Sequence, residues 1–99
     1  MLERLQSSDF SPCLNSLFRV PLADADPIPL ELAAVTELGA AQLSDGRRPF
    51  ALLFLGPVSH RYLLQGTYTL QHEVLGHLDL FVVPLGPQAG RMRYEVIFN

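Results

Sequence analysis

Proline and glycine break this chain at short intervals from Pro21 to Gly90, and between the breaks apolar residues recur at every second position. An amphipathic helix needs an apolar period of 3.6 and an unbroken run. A pleated strand needs only alternation. In residues 91–99, Met92, Tyr94, Val96 and Phe98 share one parity while Arg91, Arg93 and Glu95 hold the other, as in a strand with one wet face. Gly66–His72 sets Tyr68, Leu70 and His72 against Thr67, Thr69 and Gln71, and Leu17–Leu22 sets Phe18, Val20 and Leu22 against Arg19.

Residues 50–55 and 80–83 are apolar on both parities and read as central strands covered on both sides. Residues 28–38 are long enough for a helix. Pro27 and Pro29 at the start, with Val35 and Thr36 beyond, favour a strand. "PLGPQAGR" predicts an antiparallel hairpin between residues 78–85 and 91–98, and Asp45–Gly46 signals another turn. Near the start, Ser8 or Asp9 is placed to cap a short helix running to Asn15, with Phe10 and Leu14 buried at i, i+4. The expected fold is all-β: a small antiparallel barrel or sandwich of about six strands with a short N-terminal helix, one domain over residues 1–99. No internal repeat or linker is visible.

Composition removes several functions. Charged residues make up 17% of the 99-residue chain and the net charge is −3, without the clustered basic side chains that neutralise phosphates. There is no lysine, hence neither Schiff-base chemistry nor a phosphate-loop lysine. One cysteine, Cys13, forms no intrachain disulfide and supplies no multi-thiolate zinc site. Apolar runs fall far short of the ~20 residues of a membrane helix. The expected setting is a reducing cytoplasm, with neither nucleic acid nor membrane as partner.

The stretch "LQHEVLGHLDLF" (70–81) invites a metal site, because His72 and His77 flank a glutamate. A zinc protease motif spaces its histidines four apart, on one helix face. Here the separation is five, which puts the rings on opposite faces of a strand. The expected role of His72 is structural, its ring capping backbone groups at a strand end. Ser59–His60 lack a nucleophile elbow. Asp24 and Asp26 lack the further oxygens of a calcium loop. Cys13 lacks a flanking base. A small hydrolase or metal enzyme using His72, Glu73 and His60 is therefore the weakest reading. Arg47, Arg48, His60, Arg61 and Tyr62 remain as candidate contacts for a ligand or partner, and the aromatic set Phe50, Phe54, Tyr68, Phe81, Tyr94 and Phe98 is assigned to the core by parity.

Taken together, "FALLFLGP" (50–57), "LLQGTYTLQHEVLG" (63–76), "LDLFVVPLGP" (78–87) and "YEVIFN" (94–99) resemble a family of short bacterial proteins catalogued as a domain of unknown function. "FSPCLNSLFRV" (10–20) fits that family's opening more loosely. The resemblance implies a single all-β domain. It makes Gln65, Gly66, Tyr68, His72, Gly76, Tyr94, Phe98 and Asn99 motif positions and leaves His77 outside the motif. It implies no activity and no cofactor, and suggests an accessory or assembly role near phage-tail-like or collar proteins. The favoured function is thus a non-catalytic binding or assembly module, with a protein partner or self-association through exposed strand edges. A small-ligand barrel, its mouth lined by Tyr62, Tyr68, Arg47 and Arg61, is the alternative.

Overall fold

A computed structural model of the chain describes residues 5–39, 48–58 and 62–99. Six antiparallel strands close into a barrel: β1 (Leu17–Leu22), β2 (Ala25–Glu37), β3 (Phe50–Pro57), β4 (Gly66–His72), β5 (Gly76–Gln88) and β6 (Arg91–Phe98). Around the wall the order is β1-β2-β3-β6-β5-β4, with β4 returning to β1. The barrel alternative is therefore the correct one. Closure also overturns the expectation of free strand edges, because every strand has a neighbour on both sides.

The wall consists of two matching three-strand meanders, a symmetry that no sequence repeat announces. In each, a central strand of 13 residues pairs with its predecessor through one half and its successor through the other. Each central strand carries an extra residue in its second half, Ala33 in β2 and Leu85 in β5, where the register shifts. Such bulges bend a strand and let one long element turn the corner of a small barrel. Gly86, with φ of 97°, takes the left-handed conformation needed at the second bulge. The segment read as 28–38 is accordingly strand as far as Glu37, with Pro27 and Pro29 at outward positions of β2 that its neighbours tolerate.

Inward parity is filled by large side chains. Phe18, Leu30, Leu32, Phe54, Leu70, Val82 and Tyr94 are fully buried, and Phe18 meets Phe54 edge-on at 5.1 Å between centroids. One end is plugged by α1 (Ser7–Phe10) and the 3₁₀ turn Ser11–Cys13 that continues it. From them Phe10 enters the core and packs on Phe50 and Phe98. The helix differs from expectation at both ends. Gln6 is its cap, in a reciprocal capping box with Asp9, and the following 3₁₀ geometry buries Cys13 while leaving Leu14 40% exposed. The Asp45–Gly46 turn lies outside the described residues.

Phe81 corrects the assignment of residues 80–83 as covered on both sides. Leu80 and Val82 point inward, so Phe81 projects from the outer wall and is 52% exposed. In residues 50–55, by contrast, the outward Ala51 is buried and Leu53 and Leu55 are half-buried. Among the described residues no helix is long and apolar enough to cross a membrane.

Phe50 and Phe98 are stacked at 4.5 Å, but only Phe50 is fully buried. In denaturant titrations Phe50→Ala is expected to destabilise by about 3–5 kcal/mol and Phe98→Ala by roughly half as much, because solvent already wets part of the second ring.

Candidate functional site

His72 ends β4, and its inward parity carries the ring to the barrel end beside β1. The turn into β5 folds back so that the backbone N–H groups of Val74 and Leu75 donate to Nδ1 at 3.0 and 3.2 Å. Two donors leave Nδ1 as an acceptor, which assigns the ring proton to Nε2. Nε2–H then donates to Ser16 Oγ at 2.8 Å, and Ser16 donates onward to the Cys13 carbonyl. The ring also packs on Phe18 at 4.3 Å. Gly76, opposite His72 in the β4–β5 register, closes the turn with φ of 76°, a conformation that disfavours any side chain.

Serine and histidine at hydrogen-bond distance are the beginning of a nucleophilic dyad, but the polarity here is reversed. A general base needs a free lone pair on the nitrogen facing the hydroxyl. In this ring the lone pair faces the backbone, and the nitrogen facing Ser16 carries the proton. Metal ligation meets the same obstacle, because Nδ1 is already taken by two N–H groups. His77 pairs with Gln71 on the outer wall, opposite in parity to His72. Among the described residues no three His, Cys, Asp or Glu side chains are grouped to hold a metal ion.

What the arrangement does is join two strands. β1 and β4 share a single registered pair, Arg19↔Gln71, the shortest ladder in the wall. His72 adds a hydrogen bond to Ser16, just before β1, and a ring contact to Phe18 within it. Sequence reading placed the histidine but missed Ser16, 56 residues away, for which no local signal exists. A shallow pocket of about 250 Å³ beside this join is lined by Ser16, Leu17, Arg19 and Glu73.

A second polar clasp lies in the core. Tyr94 is fully buried, and its hydroxyl accepts a hydrogen bond from the Leu63 backbone at 3.0 Å, tying the segment before β4 to β6. Gly56 makes room for it, since a Cβ there would stand 2.8 Å from Leu30 Cδ2 and 3.2 Å from Tyr94 Cε2. Burial pushes the Tyr94 phenol up from its ordinary value of 10.0; the Leu63 hydrogen bond opposes the shift, and Tyr68 and Tyr62 add to it. Burial likewise pushes up the Cys13 thiol, keeping it protonated rather than nucleophilic at neutral pH.

Among the described residues the remaining candidate positions are dispersed. Gln65 is exposed, Gly66 pairs with Val82, and the half-buried Tyr68 donates to the Leu64 carbonyl at 2.7 Å. Asn99 is exposed beyond β6. Arg48 and Tyr62 are exposed, whereas Arg47, Ser59, His60 and Arg61 lie outside the described residues. Asp24 and Asp26 are exposed around the β1–β2 turn.

His72→Ala leaves two turn N–H groups and Ser16 without their partner, and should destabilise by on the order of 1–3 kcal/mol in denaturant titration. His72→Phe, which keeps an aromatic ring against Phe18, should recover less than half of that loss. The Tyr94 phenol holds its proton to higher pH in the folded chain than in the unfolded one. Its contribution is therefore fully present below about pH 10 and is lost as pH rises further. Cys13 acts with the same sign from its ordinary 9.0 upward. Stability measured across this alkaline range should fall, and Tyr94→Phe should make the fall shallower.

No curated protein and no solved structure matches the chain. A family model for a domain of unknown function, DUF6916, matches residues 5–98. With a match spanning nearly its whole length, the chain belongs to the DUF6916 family.

Proposed function

We propose that the chain is a non-catalytic protein-binding or assembly module that docks its partner on the outer face of β5, β6 and β3. The observation that carries this reading is the set of apolar side chains exposed on this face, around a barrel whose inward positions carry large, fully buried side chains. Strand registers set Phe81 beside Thr67, Ile97 beside Ala51, and Ala51 beside Thr36. The β5–β6 register ends at Val83↔Glu95, and beyond it Phe81 and Ile97 both project from the outer wall. A row of side chains, Ile97, Ala51 and Thr36, thus crosses β6, β3 and β2. The next row runs Val83, Glu95, Leu53, Ala34.

Phe81 is 52% and Ile97 43% exposed, and a groove of about 290 Å³ lies along the face, lined by Ala34, Thr36, Leu53, Leu85, Arg93 and Glu95. Exposed aromatic and aliphatic side chains around an arginine are the composition of protein interfaces. The competing readings have less support. A ligand inside the barrel would have to displace Phe18, Phe54 or Tyr94, all fully buried. A catalytic His72 would have to abandon the hydrogen bonds that hold its ring.

A photo-crosslinking amino acid in place of Phe81, expressed in the native cell, is expected to give one adduct of discrete mass that Ile97→Asp abolishes. The same group in place of Val74, exposed on the β4–β5 turn, should give none. Equal labelling from both positions, or none from Phe81, overturns the reading.

A further inference from the structure

Resting on the reading of this wall as a docking surface, we infer that its occupant is a second copy of this chain, packed face to face about a two-fold axis. The argument is one of charge placement. Along β6 the outward positions are Arg91, Arg93, Glu95 and Ile97. Arg91 is taken by Glu31 at 2.7 Å and by the Leu55 carbonyl. Arg93 turns Nε and Nη2 toward the carbonyls of Gly86 and Leu85, at 3.4 and 3.2 Å, which leaves Nη1 uncommitted. Glu95 has no partner among the described residues, though Leu53 and Val83 flank it across the strands. An unpaired carboxylate between apolar neighbours, two residues from a cation with donor capacity left, is half of a reciprocal pair.

A two-fold axis lying between two such walls, perpendicular to β6 at the level of Tyr94, maps each Glu95 onto the other copy's Arg93. The same operation maps the row of Glu95 onto the row of Arg93. Leu53, level with Glu95, comes to lie over Leu55, level with Arg93, and Val83 comes to lie over the Leu85 bulge. In these two central rows apolar residues meet apolar residues and both charges find opposite partners, while Ile97 comes to lie over Arg91, already tied to Glu31; the centre thus has the self-complementarity an isologous interface requires. An unrelated partner would have to supply that pattern separately. The strands of the two walls would be aligned, as in packed sheets.

The test is light scattering behind size exclusion over a concentration series, with circular dichroism as the check on fold. The parent is expected at twice the chain mass of 11.0 kDa. Glu95→Arg or Arg93→Glu alone puts like charges opposite each other in both contacts and should weaken association at least tenfold. The double exchange Arg93→Glu/Glu95→Arg restores both contacts and should restore the dimer. Mixing the two single variants should give a heterodimer. Leu53→Asp, which leaves the Arg93–carbonyl contacts untouched, should also split the dimer and covers the case in which Arg93→Glu fails to fold. A parent that stays at the single-chain mass throughout, or a folded double exchange no more associated than the singles, overturns self-association. If the group replacing Phe81 still captures a different protein under those conditions, the docking surface stands and only its occupant is wrong.

Discussion

The β3–β6 ladder is the constraint on which the rest of the structure depends. It runs through eight consecutive pairs, from Phe50↔Phe98 to Pro57↔Arg91, without a bulge, and it joins the two meanders into one wall. Because strand parity is two, this register alone sends Phe50, Leu52, Phe54 and Gly56 inward together with Met92, Tyr94 and Val96. A slip of one residue would bury Arg93 and Glu95 and expose Tyr94. Regularity here is matched by irregularity elsewhere, with both bulges of the central strands, Ala33 and Leu85, in the ladders flanking it.

The proposed docking face and the packed core lie on opposite surfaces of that ladder. Its inner surface is committed to packing, with Tyr94 against Gly56 and its hydroxyl closing on Leu63. Its outer surface carries apolar side chains together with Arg91, Arg93 and Glu95, the last two of them in the groove. The cluster that most resembles chemistry, Ser16 with His72, lies away from this ladder and serves the β1–β4 join instead. Hydrogen-bond direction, rather than the presence of the two residues, separates a fastener from a catalytic pair.

Much of this was legible in the residues and some was not, for definable reasons. Alternation located β1, β4 and β6 because each carries polar groups on one parity, which gives the pattern a phase. The run from Leu80 to Val83 has no polar residue and therefore no phase, so nothing in it marks Phe81 as outward. That orientation comes only from pairing with β4 and β6. Proline misleads about the boundary, since Pro27 and Pro29 favour strand over helix yet set its start near residue 28, whereas β2 begins at Ala25 and runs for 13 residues. Gln6 and Asp9 form a capping box whose first member is not among the usual cap residues. Ser16 could not be tied to His72 by any spacing rule, because the closure of the barrel is what brings them together.

The narrow join between β1 and β4 also governs how the protein comes apart. With one registered pair and the His72–Ser16 hydrogen bond across it, it has the least backbone pairing in the wall, and parting there would turn a closed cylinder into an open curved sheet with two raw margins. Such margins recruit foreign strands and seed aggregates. Along β1 that hazard is blunted by Pro21, which has no amide hydrogen to offer an incoming chain. The imidazole at the end of β4 is thus a safeguard for solubility as much as for shape.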